Sequence, residues 1–272
     1  MRGAPDRPGV PSQYRDRPIA VRLFAYNIGV TKCNSVTEIA VFEHCIRDDL
    51  NERALRRLAV LRPLKVVIEN YPESQIEMLE AVSNPEDPSA GTRQVPFWRV
   101  IYIEQNDFRE VLPPKCYRLS PGTEVRLRCA YLITCTGIVK EPQTCAVVEV
   151  QATYDPAMRG GNTPDGQKVN ATLHRVSAAH AVDAECRLYD KLFTCQETDA
   201  DGGFKKNLNP HSIEIVTGRC EPSLSTAVPA ERYKFERLGC FALDSDSHPG
   251  MLVFNRVVTP KEAWAKIEKR KK

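Results

Sequence analysis

From Leu64 to about Val258 the chain is cut into short β-rich runs: LKVVIENY, FWRVIYIE, EVRLRCAYLITC, AVVEVQATY, KVNATLHRVSA, IEIVTG, RYKFERLGCFAL and MLVFNRVV. Pro, Gly, Asn and Asp fall between them, and strictly alternating strand and helix units are absent. Many short strands separated by turn signals indicate a mainly β fold, a sandwich or barrels.

One of these runs raises a functional question. In EVRLRCAY, residues 124–131, Val125, Leu127, Cys129 and Tyr131 fall at one parity, and Glu124, Arg126 and Arg128 at the other. A period of two predicts a half-buried strand whose two guanidinium groups leave the same face. Residues two apart on a strand are separated by roughly 6.5–7 Å, close to the spacing of neighbouring phosphates or unstacked nucleotides. Arginine's planar fork grips phosphate oxygens and base edges. An ordinary solvated strand face gives the same pattern, so the rest of the chain has to decide.

Residues 1–18 carry four prolines and few apolar residues, the composition of a disordered tail. A helical section is expected over 19–60. Ile19 to Ile28 places Val21, Phe24, Ala25 and Ile28 on one side before Gly29, and Ser35 with Glu38 forms a capping box ahead of Ile39, Ala40, Ile46 and Leu50. Arg53, Arg56, Arg57 and Arg62 follow, and Pro63 ends any helix there. DPAMRGGNTPDGQ, 155–167, reads as a loop, and Thr259, Pro260 and Glu262 open a short closing helix.

At 272 residues the chain has room for two modest domains. With 38 Lys and Arg against 35 Asp and Glu, its net charge of +3 does not announce a nucleic-acid binder, so a local patch has to do any such binding. The ten cysteines contain no pair spaced C-x-x-C, which leaves the metal signal weak and suggests small hydrophobes in a reduced, intracellular protein. No segment approaches the ~20 apolar residues of a membrane span.

Catalytic signatures are sparse. Ser177 and His180 are close in sequence but lack a G-x-S-x-G elbow, and His174, His180 and Cys186 match no zinc spacing. Neither G-x-x-x-x-G-K-[ST] nor G-x-G-x-x-G occurs. Basic residues recur near the β runs: Arg56 and Arg57, Lys115 and Arg118 in PPKCYRL, Lys234 and Arg237 in RYKFERLG. Clustered on a β platform among Tyr and Phe, they suit single-stranded RNA.

Several motifs in order carry a resemblance. LKVVIENY, SAGTRQVPF, YRLSPGTEVRLRCAY, DGQKVNATLHRVSAAHAVDAECRLYDKLF, KFERLGCFALDSDS and VFNRVVTPKEAWAKIEK together resemble the anticodon-binding half of the glutaminyl-tRNA synthetase family, over about residues 17–268. RLFAYNIGVTK and FEHCIRDDLNERALRRLAVL resemble the connector that precedes it. The resemblance implies two β-barrels, a proximal one from 61–114 with 211–268 and a distal one from 115–210, behind the helical connector; 269–272 is left as a basic tail. It also implies that tRNA(Gln) is the partner, read by a cytoplasmic protein. Arg126 and Arg128 match strand arginines at the first anticodon base, Asn51 an asparagine beside them, Arg118 the arginine at the third base, and Arg56 and Arg237 arginines around the central uridine.

The sequence departs from the family at Lys234 (usually Gln), Tyr117 (Lys), Glu86 (Asn or Asp type), Cys129 (Asn of V-R-L-R-N-A-Y) and Arg175 (Trp of H-W-V-S). A point-charge lysine cannot reproduce the two-way contact of an amide, which bears on base specificity more than on affinity. HIGH-type and KMSKS-type motifs do not occur in the chain. ATP is therefore implied only for a catalytic domain, no cofactor is expected in this chain, and alone it is expected to be inactive. A catalytic synthetase domain or a multisynthetase partner is implied beside tRNA. The alternative is a stand-alone barrel protein repurposed for RNA or protein contact.

Overall fold

The computed structural model describes residues 18–29, 32, 37–114, 117–161, 171–194, 203–229 and 231–260. The expected tails, Ser35 of the capping box and the closing helix beyond Pro260 lie outside them. Two helices come first, α1 (Pro18–Ile28) and α2 (Ile39–Arg53). Gly29, at φ 69°, donates its N–H to the Ala25 carbonyl at 3.2 Å and stops α1 as a left-handed residue can. Helix α2 begins one residue after Glu38, which holds the N-cap position and makes no side-chain capping bond.

The helical section ends earlier than residue 60. After Arg53 the chain turns extended as β1 (Leu55–Arg57) and β2 (Ala59–Val60), because their backbone groups are taken up across the sheet: β1 runs parallel to β14 (Arg232–Phe235), and β2 pairs with β13 (Ile213–Cys220). Leu58, Ala59 and Val60 are buried in succession, which a helix with one apolar face does not permit.

Two seven-stranded sheets build the two barrels. The first contains β3 (Pro63–Ile68), β6 (Val100–Glu104), β7 (Glu124–Leu127), β8 (Leu132–Lys140), β9 (Val147–Tyr154), β10 (Thr172–Leu173) and β11 (Val176–Ser177), in the order β10-β7-β8-β9-β3-β6-β11. A separate hairpin, β4 (Glu77–Val82) with β5 (Thr92–Phe97), lies between β3 and β6 in the chain. The second sheet runs β1-β14-β15-β16-β12-β13-β2, with β12 (Val182–Tyr189), β15 (Gly239–Leu243) and β16 (Leu252–Val258). Strand pairing thus groups β3 and β6 to β11 in one sheet, and β1, β2 and β12 to β16 in the other. This differs from a split into 61–114 with 211–268 and 115–210. The reason is pairing along β3, which lies parallel to β9 and antiparallel to β6, so β7 to β9, paired in succession, stay in the barrel that β3 begins.

Each barrel has its own apolar core. Phe97, Ile101, Val125, Leu127 and Val150 belong to the first; Tyr233, Phe235, Phe241 and Phe254 to the second. Helix α2 lays Ile46 and Leu50 against Ala242, Val257 and Val258 of the second barrel. A smaller cluster, Leu58, Val60, Ala81, Val95 and Val176, joins residues of both sheets and the β4–β5 hairpin. Buried carboxylates fasten the same junction. Glu221 accepts from Leu58 N–H at 2.8 Å and from both Arg93 Nε (2.5 Å) and Nη2 (3.0 Å), and Glu104 accepts from Leu61 N–H at 2.5 Å. Apolar packing with satisfied charges makes this junction a firm base for the side chains on it.

Candidate nucleic-acid interface

The run EVRLRCAYLITC is two strands and a turn. Its alternation holds through β7, with Val125 and Leu127 buried, Glu124 exposed and Arg126 half-buried. Strand β7 then ends, and Arg128 to Ala130 form a turn in which Cys129 adopts φ 54°. The Leu127 N–H reaches back to Tyr131 O at 2.9 Å, closing the hairpin into β8. Arg126 therefore projects from a strand and Arg128 from the turn beyond it. Both still line one cleft of about 480 Å³, together with Leu79, Glu80, Val82 and Arg159. The Arg126 Nε is buried and, among the described residues, lacks a hydrogen-bond partner.

Strand β10 explains the presence of Arg159. It pairs parallel with β7, Thr172 opposite Arg126, so the connection from β9 must return to the rim of β7 and bring its first turn, Pro156–Gly161, with it. Local pattern marked 155–167 as a loop and gave no sign of where the loop folds. Glu80 and Val82 carry no sequence signal for a place in this cleft, because the β4–β5 hairpin is short and its outer face mixes charge with apolar residues. Met78, Glu80 and Val82 are exposed, whereas Leu79 and Ala81 are buried.

A second basic cluster is built around the β14–β15 turn. Lys234 lies opposite Arg56 in the β1–β14 pairing and donates to Asn51 Oδ1 at 2.5 Å. Burial, with Arg56 nearby, holds the Lys234 ammonium below its ordinary pKa. Arg56 is 5% exposed and gives its donors to the Ala54 carbonyl (2.8 Å) and the Asn51 carbonyl (2.7 Å), while Asn84 Nδ2 covers the Glu52 carbonyl at 2.6 Å. These are carbonyls that the end of α2 leaves without intrahelical partners. Arg56 is thus a helix cap, buried beneath the surface that Lys234 and Asn51 share.

Two ion pairs carry this cluster across to the first barrel. Arg237, at φ 67°, forks onto Asp107 with both contacts at 2.6 Å. Arg128 meets Glu236 at 3.4 Å. The fork is bidentate and holds a nearly buried carboxylate; the other contact is long and solvated, so it yields readily to a competing anion. Arg118 lies on the same strip: the adjoining Leu119 bridges Phe108, and its N–H donates to Asp107 O at 3.0 Å. Among the described residues the Arg118 guanidinium has no hydrogen-bond or ion-pair partner. Lys115 lies outside the described residues.

The departures also have places. Tyr117 is exposed, and Glu86 is exposed within electrostatic reach of Lys234. Arg175 is fully buried, donates to Pro96 O at 2.6 Å and holds its guanidinium carbon 4.7 Å from the centre of the Phe97 ring, with its pKa lowered by burial to about 10. A planar cation stacked on a ring occupies the place of an indole. Ser177 Oγ and His180 Nδ1 lie 2.9 Å apart, with the serine buried at the end of β11 and the histidine in the turn that follows. Burial raises the thiol pKa of Cys135, Cys220 and Cys186, the last to about 12, as befits thiols used for packing. Among the described residues there is no group of three or more His, Cys, Asp or Glu able to hold a metal ion, and no helix long and apolar enough to cross a membrane.

Comparison with known proteins gives these two barrels a family. The model described as tRNA synthetases class I (E and Q), anti-codon binding domain, matches residues 54–155, and a second model of the same description matches 172–244. A glutamine–tRNA ligase of Nitrobacter hamburgensis is 52% identical over 261 residues, 96% of this chain and 45% of its own length. Those of Rhodopirellula baltica (43% over 258 residues) and Vibrio vulnificus (46% over 252) are similar over 94% and 92% of the chain, and over 43% and 45% of their own lengths. The chain spans a little under half the length of the curated relatives it matches.

Proposed function

The chain belongs to the anticodon-binding domains of the class I glutamyl- and glutaminyl-tRNA synthetases, and on that premise we propose that it reads the anticodon of tRNA(Gln) in the cytoplasm, presenting that tRNA to a catalytic synthetase domain. Glutamine activation with ATP belongs to that catalytic domain. The contribution of the barrels is to fix the far end of the tRNA, since rate depends on holding reactants in place.

The observation that carries the reading is the convergence of Arg126 and Arg128 on one cleft from different backbone settings, with Arg126 Nε buried and unpartnered. An unpaired anticodon nucleotide supplies what such a cleft lacks: phosphate oxygens and base-edge acceptors for forked donors, and a flat apolar ring for its walls. Arg118 and Lys234 extend the surface along the β14–β15 turn toward the other two bases, Asn51 stands beside the first base by the resemblance, and Lys115 joins them as the basic neighbour of Arg118 in the sequence. Arg237 and Arg56 hold this surface in shape.

The test is binding of the tRNA(Gln) anticodon stem-loop against an anticodon-swapped version. The expected result is a clear preference for the cognate loop and a log–log salt slope of about −0.7 for each neutralised phosphate. Arg126→Ala should weaken cognate binding about 5- to 150-fold, the equivalent of about 1–3 kcal/mol, with no loss of stability. A barrel pair repurposed for protein contact would hold neither loop at any salt.

A further inference from the structure

We propose that Glu80 makes the β7 cleft selective for a base bearing an exocyclic amino group, cytosine over uracil, and that Arg159 holds the adjoining phosphate. The proposal rests on the anticodon-binding reading above and adds to it the selecting group and a phosphate-side cation.

Three of the side chains lining the cleft are guanidinium groups, those of Arg126, Arg128 and Arg159. A guanidinium only donates hydrogen bonds, so the three alone favour any acceptor-rich edge and do not separate cytosine from uracil. Glu80 is the carboxylate among the lining residues, and an ionised carboxylate only accepts. Its direction follows from β4: Leu79 and Ala81 point into the core, so Glu80 and Val82 share the opposite, exposed face. Although three cations line the same cleft, Glu80 forms no ion pair with any of them among the described residues. Glu80 and the guanidinium groups thus share the lining of a cleft of about 480 Å³ without being joined across it.

What enters must give a donor to one side and acceptors to the other. Cytosine does so, with its N4 amino group facing Glu80 and O2 and N3 facing the arginines. Uracil places a carbonyl, O4, at the position of the amino group, and two acceptors then face each other without a proton between them. Val82, exposed on the same face as Glu80, supplies apolar contact for either ring. Arg159, on the turn that the β7–β10 pairing brings to the rim, is placed for the phosphate that follows the bound base.

The experiment titrates the chain with two anticodon stem-loops identical except for cytosine or uracil at the first anticodon position, followed by fluorescence anisotropy. The unmodified chain is expected to bind the cytosine loop about tenfold more tightly, the low end of a charge-assisted hydrogen bond. Glu80→Gln, whose amide both donates and accepts, should cut that preference to about twofold without weakening the uracil loop. Arg159→Ala should weaken both loops equally and reduce the salt slope by about 0.7. Equal affinity for the two loops, or a preference untouched by Glu80→Gln, overturns the assignment of Glu80 and leaves anticodon binding standing. An unchanged salt slope in Arg159→Ala overturns the phosphate assignment. Failure to bind either loop overturns the anticodon reading and this inference with it.

Discussion

Arg126 and Arg56 are both strand arginines that the family resemblance places at anticodon bases, and the structure uses them oppositely. Arg126 is half-buried on the wall of an open cleft with its Nε unpartnered. Arg56 is buried, and its two terminal nitrogens hold the last carbonyls of α2. The same contrast separates Arg128, loosely paired to Glu236, from Arg237, locked onto Asp107. An arginine has five donors in a rigid fork, and its role is decided by how many are already committed inside the protein. Those with donors to spare can meet RNA; the others keep the platform in register.

The strongest way to break this contrast is Arg56→Ala. Removing the cap leaves the buried Ala54 carbonyl and the part-buried Asn51 carbonyl without these partners, at about 1–3 kcal/mol for a group so stranded and less where water can reach it. The expected result is a loss of about 2–4 kcal/mol, read as a lower urea midpoint with an unchanged m-value. RNA affinity would fall too, through displacement of Asn51. Normal stability with impaired RNA binding would reverse the assignment and make Arg56 a direct contact.

Much of this arrangement is legible along the chain, for reasons that differ by level. The mainly β fold shows because Val125, Leu127 and their counterparts alternate at period two, and each strand carries that signal locally. The break at Arg128 does not show. Arg128 and Cys129 continue the polar and apolar alternation into a turn, and only the positive φ of Cys129 distinguishes the two states. Strand partnership is hidden for another reason: the parallel pairing of β3 with β9 joins segments some 80 residues apart (Lys65 to Glu149), and nothing local to either names the other. Arg118, Arg126 and Arg128 were legible as basic residues beside strands. That Arg56 and Arg237 are committed internally depends on Ala54, Asn51 and Asp107, which come near only once the chain has folded.

Cys129 offers a sharper test at the cleft itself. Its φ of 54° lies where side chains other than Gly, Asn and Asp are disfavoured, and the family pattern carries Asn at this position. Cys129→Asn should therefore stabilise the chain by about 0.5–1 kcal/mol, seen as a higher melting temperature. Cytosine-loop affinity should stay level or improve, since Arg128 is fixed by the same turn. A destabilised variant would mean that contact of Cys129 with the Val60 and Val95 cluster outweighs backbone strain.

The smallest expected effect concerns Lys234, which stands between the two kinds: it is on the proposed RNA surface, yet its ammonium already donates to Asn51 Oδ1. Burial first, and then the neighbouring charge of Arg56, lower its pKa from the ordinary 10.5, while Cys240, Glu236 and Glu86 act in the opposite direction. The unfolded chain then binds more protons than the folded one between the lowered value and 10.5, so this group makes stability rise with pH across that window. Tyr71 and Tyr233, pushed up to about 12 mainly by burial, work oppositely above pH 10 because the folded state keeps their protons longer. The quantity to measure is therefore the stability of the unmodified chain minus that of Lys234→Gln, which cancels the tyrosines. Glutamine can still donate to Asn51 Oδ1 but carries no proton to lose. The difference should climb through the alkaline window toward pH 10.5, by less than the gain expected at Cys129. A flat difference would show that the ammonium is solvated rather than held beside Arg56.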